Sequence, residues 1–500
     1  MEHPQSLPRE IAFVGVLCMA QLMTQAALGQ SIAPLHIIGD SFNITSTGQL
    51  SWFPAAYSLT VGTFILIAGR LGDLYGHKRF FIAGFLWFGF WSLIAGFTIY
   101  VQRSGGKGAI FFDICRALQG IGPAFLLPNA IAILGRTYAP SRRQEMVFSL
   151  FGATAPTGFT LGAIFSSLFA QRVWWPWAFW VMGIICFLLA TAGYFAIPHT
   201  PSPYIFRGKD GITTWARVDG WGSITGITAL VLINFAWNQG PVVGWKTPYT
   251  YILLIVGFLF LSLFGFIESR ATFPLIPRDA LSTDTAFVLC CVAAGWSSFG
   301  IWVYYLWQFC EELKHASPLL TSAYFVPTTI SGFFAALTTG MILHRVPASF
   351  VMLIAMLAFM TGTILVATAP VSQIYWAQFF VAVVVMPWGM DMSFPAATIL
   401  LSNRMRREEQ GVAASLVNTI INYSISIGLG MAGTIEGRVG GTGQEGLLRG
   451  YRGALYFGLG ISGLGVLTAL AFGTSHFLRA RGDEAEGADV RSRERSSLEA

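Results

Sequence analysis

Charge is what this chain of 500 residues has little of: Asp, Glu, Lys and Arg make up 11% of it, where a soluble globular protein carries about 25%. That deficit excludes a water-facing surface over most of the molecule. Cysteine is also sparse. The six present, Cys18, Cys115, Cys186, Cys290, Cys291 and Cys310, fall within or at the edge of apolar runs and never in C-x-x-C spacing. A disulfide framework or zinc knuckle is therefore excluded, and the cysteines read as small buried apolar residues. No H-E-x-x-H or G-x-S-x-G run occurs and the seven histidines do not cluster, so an enzyme is not expected and no metal or cofactor is implied. The net charge of +6 is dispersed, whereas a nucleic-acid binder needs a basic patch.

What the chain does have is apolar sequence, 54% hydrophobic with 15% aromatic. A bilayer is crossed by roughly 20 apolar residues in a helix. Runs of that kind stand at 11–38, 50–69, 80–99, 110–135, 146–170, 177–197, 221–238, 249–267, 286–310, 319–343, 348–369, 374–401, 411–435 and 453–474. They predict an all-α polytopic membrane protein with 14 transmembrane helices. An even number puts both termini on one side. With that side cytosolic, inner segments hold 21 Lys and Arg and outer segments 8, which places both ends in the cytosol. The first run continues to about Ile38 and so is read as a span rather than a cleaved signal. It carries Gln21, Gln25 and Gln30, which are costly against lipid and so face the interior or a wet cavity. Asn43-Ile44-Thr45, in the first outer loop, is an N-glycosylation acceptor sequence.

Between the second and third runs lies Gly69-Arg70-Leu71-Gly72-Asp73-Leu74-Tyr75-Gly76-His77-Lys78-Arg79. Gly69, Gly72 and Gly76 let helix ends come close, Asp73 suits the positive end of a neighbouring helix, and Lys78 and Arg79 stay in the headgroup zone. This is a conformational latch between two membrane helices. The alternative is a basic turn that only fixes topology. The run resembles the loop signature G-x-L-(A/G)-D-x-x-G-(R/K)-(R/K)-(R/K) of the major facilitator superfamily, with His77 in place of one base. That resemblance implies a major facilitator fold working by alternating access, with a lipid bilayer and a small-molecule substrate as partners and a monomer as the expected form.

Further stretches resemble the same superfamily. Arg116-Ala117-Leu118-Gln119-Gly120-Ile121-Gly122 is similar to its R-x-x-Q-G-x-G run, which implies a part for Arg116 and Gln119 in proton handling. The alternative is that Arg116 only ties helices together. Gly158 and Gly162 fit the first two glycines of the antiporter run G-x-x-x-G-P-x-x-G-G, but Ala163 replaces the proline and Ser166-Ser167 the final pair. Small residues four apart still allow close helix packing.

The Pro-rich stretch from Pro198 reads as a cytosolic linker over 198–220. Asp219-x-x-Gly222 before one run and Glu268 ahead of Pro274-Leu275-Ile276 after the next resemble the fourteen-span drug:proton antiporter branch, built as 6 + 2 + 6 helices. The domains are then a six-helix bundle over 1–197, two additional helices over 221–268, a second six-helix bundle over 269–478 and a disordered cytosolic tail over 479–500. A shift of 267 residues lays Pro395-Ala396-Ala397 on Pro128-Asn129-Ala130, as a duplicated transporter predicts.

That branch carries an acid in its first span where this chain has Gln25. The nearest substitute is Asp391, in Trp388-Gly389-Met390-Asp391-Met392-Ser393-Phe394-Pro395, inside an otherwise apolar run. Two readings stand: a proton or cation carrier, helped by a nearby cation such as Arg116, or a packing hydrogen bond to Ser393 or a backbone group. The glutamines of the first span and the run around Asp391 look like the fungal subgroup that includes aminotriazole-resistance proteins and low-affinity ammonium transporters. Trp296, Tyr304 and Trp307 in the ninth span and Asn418 and Asn422 in the thirteenth are candidate walls of a substrate cavity, while Glu311 and Glu312 are read as solvated. The function expected is proton-coupled efflux of a small organic compound, drug or secondary metabolite, across the plasma membrane. Passage of a small solute such as ammonium or boric acid is the alternative. A membrane sensor or membrane enzyme is the reading from another class.

Overall fold

The computed structural model describes residues 7–44, 46–138, 142–198, 214–276, 282–343, 345–402 and 410–498, with side chains from 476 onward outside that description. All regular structure among them is helical: α1 Leu7–Ile32, α2 Leu35–Ser41, α3 Thr47–Leu50, α4 Trp52–Tyr75, α5 His77–Arg103, α6 Gly108–Thr137, α7 Arg142–Arg172, α8 Pro176–Ala196, α9 Thr214–Arg217, α10 Gly220–Val243, α11 Pro248–Arg270, α12 Thr283–Gln308, α13 Pro318–Tyr324, α14 Val326–Ile342, α15 Ala348–Thr368, α16 Gln378–Ser402, α17 Gln410–Val439 and α18 Gly443–Leu498. Fourteen helical segments among the described residues are long and apolar enough to cross a membrane. Helices are the expected answer, because hydrocarbon offers backbone N–H and C=O groups no other partners.

The surface is inverted relative to a soluble protein. Phe195, Leu259 and Leu464 are more than 60% exposed, while Arg116 and Gln119 are fully buried. Helices α1 and α4 to α8 pack into one bundle, and α12 to α18 into another. The bundles meet along two seams, α4 against α17 and α7 against α13 and α14. Helix α10 lies on the first seam, touching both α4 and α17, and α11 packs chiefly on α10. Only Thr250 and Gly257 of α11 are buried, so its remaining face is left to lipid.

Several boundaries differ from the sequence reading. The first span ends at Ile32 and a separate helix begins at Leu35, because Pro34 cannot extend the hydrogen-bond ladder. The ninth continues past Gln308 as a π-turn, Phe309–Leu313. The end of the chain, expected to be disordered from 479, continues α18 to Leu498, as its Ala, Glu and Arg content favours. Cys290 is exposed while the other five cysteines are buried, and all six are free thiols. Residues 199–213 of the linker and Thr45 of the glycosylation sequence lie outside the described residues. Asn43 itself is exposed, with a left-handed φ of 57°.

Candidate functional site

The stretch Gly69 to Arg79 joins α4 to α5, at one end of the bundles, here termed the basic face. Gly76 has φ of +102°, a conformation open to glycine at little cost, and it turns the chain directly from one helix into the next. Gly72 is pressed against Asn129 and His77, and a β-carbon on Gly69 would meet Ser415 Oγ of α17 at 3.3 Å. These two glycines therefore let α4 close on its own bundle and on the other. Asp73 accepts from Arg136 at 2.8 Å and lies 3.2 Å from His77 Nε2, at the first turn of α5. Lys78 donates to Tyr194 O and Ile197 O at 2.7 and 2.5 Å, neutralising the negative end of α8. Arg79 is exposed. Nearby, burial together with the Glu10 carboxylate, which accepts from Tyr138 at 2.8 Å, pushes that phenol up to about 12.

Arg70 links this turn to the segments that flank the extra helices. It donates to Arg217 O at 3.1 Å and Phe273 O at 3.4 Å. Asp219 caps α10 by accepting from Gly222 N at 3.2 Å, and Glu268 accepts from Leu275 N at 3.0 Å. The Asp-x-x-Gly and Glu…Pro-Leu-Ile patterns thus fold two short segments so that their carbonyls receive Arg70.

Arg116 is enclosed within the first bundle. Its guanidinium donates to Phe53 O at 3.0 Å, Ala27 O at 2.9 Å, Ser31 Oγ at 3.0 Å and Gln119 Oε1, and it lies 4.6 Å from the Tyr57 ring centroid. Gln119 in turn donates to Ser92 Oγ at 2.7 Å. Asp113, on the same helix face, is an acid that acts on Arg116 electrostatically. The expected neighbour Asp391 is not among these groups, because Asp391 belongs to the other bundle.

Asp391 faces the second seam. A β-carbon on Gly332 of α14 would meet its Oδ2 at 2.7 Å and Pro156 of α7 at 3.1 Å, so the carboxylate sits where α7, α14 and α16 converge. Oδ2 is enclosed and has no hydrogen-bond partner among the described residues. The packing bond to Ser393 is not formed: that hydroxyl donates to Met390 O at 3.2 Å and accepts from Trp296 Nε1 at 3.1 Å. Thr329 Oγ1 donates to Thr160 Oγ1 across the same seam at 2.7 Å, and Ser167 and Ser322 meet further out at 3.0 Å.

The other candidates divide. Gln21 and Gln25 are half-buried on one face of α1, and Gln30 is buried with neither amide atom bonded. Gly158 and Gly162 seat α7 against the backbone of Leu22 and Ala26, where any β-carbon would collide. Asn418 and Asn422 spend their amide N–H groups on the carbonyls one turn back, Ala414 O at 2.9 Å and Asn418 O at 3.0 Å. Trp307, expected in a cavity wall, is 1% exposed and packs on Phe159 and Phe325 with centroids 5.7 and 4.6 Å apart. Tyr304 is 2% exposed. Both are core residues in this conformation, while Trp296 keeps partial exposure.

Sequence reasoning missed or misread five polar side chains. Asp113 was visible one turn before Arg116, a spacing that places both on one helix face. Glu436 falls just beyond the predicted end of the thirteenth span. Glu311, read as solvated, has one carboxylate oxygen enclosed in the π-turn. Asn234 and Asn238 of α10 form an amide ladder at 2.7 Å, and Ser426 of α17 donates to Asn234 Oδ1 at 2.8 Å and to Ala55 O of α4 at 2.9 Å.

Two helical bundles, polar groups buried along the seams and a glycine-rich, charged turn at one face are the architecture of a membrane carrier. The profile of the Major Facilitator Superfamily matches residues 15–429, and the chain belongs to that superfamily: it is a secondary transporter of small molecules and not an enzyme. The low affinity ammonium transporter of Saccharomyces cerevisiae is 65% identical over 480 residues, 96% of this chain and 92% of that one. An efflux pump of Aspergillus terreus is 53% identical over 473 residues, 94% and 89% of the two chains. Among solved structures, the nucleoside transporter NupG aligns over 92% of this chain and 99% of its own, with a TM-score of 0.61 at 12% identity, a likeness of fold.

Proposed function

We propose that the protein moves a small cation of the ammonium class, coupled to protons, with Asp391 as the carboxylate that exchanges them. The observation that carries this reading is the position of Asp391: an acid with no hydrogen bond or ion pair among the described residues, at the seam that must open and close as the bundles rock. A carboxylate there is expensive unless a proton or cation accompanies it. Two further facts support a small cargo. Trp302 and Trp307 are closed into the core rather than lining a wide cavity, and the relative at 65% identity is an ammonium transporter. In this reading both termini are cytosolic, the plasma membrane is the site of action and the carrier works as a monomer.

A second reading is proton-driven efflux of a small organic compound. The efflux pump at 53% identity favours it, as do the half-buried amides of Gln21 and Gln25, which suit neutral polar groups.

The test is flux in proteoliposomes containing the purified chain, with and without an imposed pH gradient, using labelled methylammonium and a panel of organic compounds. Methylammonium accumulation that follows the gradient in wild type, and is lost in Asp391→Asn while counterflow exchange persists, is the expected result. Accumulation by Asp391→Asn equal to wild type refutes the carrier role. Transport of organic compounds with no methylammonium flux selects the second reading.

A further inference from the structure

A second buried acid lies at the face opposite the basic one. Glu436, near the end of α17, is 7% exposed, and no lysine, arginine or histidine pairs with it among the described residues. Tyr305 donates to its Oε2 at 2.8 Å, and Thr47 lies beside the same side chain. Tyr304 and Tyr451 complete an aromatic wall. The Tyr304 and Tyr305 rings meet edge-on with centroids 5.1 Å apart, and those of Tyr305 and Tyr451 are 5.6 Å apart. A β-carbon on Gly450 would meet Glu436 Cγ at 3.2 Å, so the glycine makes room for the acid.

Tyr451 is the independent sign of a ligand. It is 1% exposed and its hydroxyl has no partner among the described residues. An orphaned hydroxyl is costly in an apolar interior unless a ligand joins it. Of the basic groups on this face, Lys314 donates to Gln373 O and lies 4.9 Å from the Phe379 ring centroid, His36 faces Gln308 and Glu312, and Arg452 donates to Ala369 O at 3.2 Å.

We propose that Glu436 and the tyrosines 304, 305 and 451 form a binding site for a small ammonium-type cation at this mouth of the carrier, separate from Asp391. The inference rests on the ammonium-class reading of the cargo. Ring faces and a carboxylate suit a compact cation whose N–H groups donate to Glu436 and the free Tyr451 oxygen. A divalent metal is a poor fit, since no group of three His, Cys, Asp or Glu side chains among the described residues converges to hold one. Glu312, 41% exposed, adds negative potential that concentrates cations at the entrance.

The gate is built in. Thr47 belongs to α3, next to α4 of the first bundle, whereas Glu436 and the tyrosines belong to the second. Tyr304 also reaches Thr47 O, at 3.5 Å. When the bundles part at this face, Thr47 is withdrawn and Glu436 meets water. The site is thus covered in the present conformation and opens in the alternate one.

Equilibrium binding of methylammonium to the purified full-length protein, by calorimetry, tests this together with proteoliposome flux. Replacing a charge-assisted contact by a neutral one should cost roughly tenfold in affinity, so Glu436→Gln is expected to raise both Kd and the KM for methylammonium by about that factor. Maximal turnover stays near wild type, and Glu436→Asp restores most of the affinity. Because Gln keeps an acceptor for Tyr305, its melting temperature should hold. Should it not fold, Tyr451→Phe removes only an unpartnered hydroxyl and is expected to weaken binding roughly threefold. If methylammonium binds in a Glu436-dependent way but is not transported, the site stands and the cargo reading falls. If Glu436→Gln and Tyr451→Phe both bind and transport with wild-type Kd and KM, Glu436 is a protonated packing group and the proposal is overturned.

Discussion

Arg116 offers a sharp test of how buried charge is held in this fold. The side chain donates four hydrogen bonds, to three helices of its bundle, and stacks over Tyr57. Side-chain hydrogen bonds inside membranes average about 0.6 kcal/mol, and a cation over an aromatic face adds ~0.5–2 kcal/mol. Lysine keeps the charge but concentrates its donors on one nitrogen, which cannot serve Phe53 O and Ala27 O together as the guanidinium fork does. Losing two bonds and part of the stacking should cost about 2 kcal/mol in Arg116→Lys.

Leucine goes further, because it removes all four hydrogen bonds and leaves the enclosed acceptors Phe53 O, Ala27 O, Ser31 Oγ and Gln119 Oε1 short of a partner, and it removes the charge that acts on Asp113. An unsatisfied buried polar group costs ~1–3 kcal/mol, so a loss of roughly 3 kcal/mol is expected. Asp113→Asn in the Arg116→Leu background should recover at least about 1 kcal/mol, a coupling within the usual range for residues in one network. Equilibrium unfolding of the purified protein in mixed micelles measures all four stabilities. Arg116→Lys as stable as wild type would refute the account of the fork. Arg116→Lys of full stability that no longer accumulates cargo would show that the guanidinium takes part in proton movement rather than in holding helices.

Gly162→Leu should abolish the approach of α7 to Ala26; overpacking costs ~1–3 kcal/mol and here the obstacle is backbone, so folded protein recovered from membranes should fall several-fold by size-exclusion chromatography, and unchanged yield refutes the contact. Asp73→Asn should slow transport while abundance stays near wild type. Its carboxylate is 38% exposed, so loss of the Arg136 pair costs under about 1 kcal/mol of stability and shifts mainly the balance between states. Flux per folded molecule equal to wild type would exclude a switching role for Asp73.

The fold was legible because the bilayer imposes lengths. Each apolar run had to become a helix of at least the hydrocarbon thickness, and the segments Leu7–Ile32 through Gly443–Ser475 follow that demand. The departures occur where local chemistry overrides length: Pro34 ends the first helix early, and the π-turn at Phe309–Leu313 prolongs the ninth span by an irregular piece. The close turn from α4 into α5 was equally legible, since glycine spacing fixes where backbones approach. What no spacing revealed is that Arg70 reaches across to Arg217 O and Phe273 O. Partners that are backbone carbonyls leave no mark on the sequence that supplies them.

The polar interior was read least well, and the reason is geometric. A residue's type tells that it needs company, not which helix provides it. Arg116 and Asp391 are the two most conspicuous intramembrane charges in the sequence, and pairing them was the economical expectation. Yet each sits in a different bundle, because Arg116 finds acceptors in the carbonyls of α1 and α4, close by in its own bundle. Once those bonds neutralise the need, nothing draws the arginine toward the seam. Among the described residues Asp391 is then left with no cation paired to it, and the same holds for Glu436, which Tyr305 contacts. These two acids lack basic partners among the described residues, one at the α7/α14 seam and one under Thr47 where the bundles touch, as the proposed carrier for a positively charged species would require. Fixed internal cations would occupy those carboxylates permanently, whereas a proton or cargo can enter and leave as the covering bundle moves away.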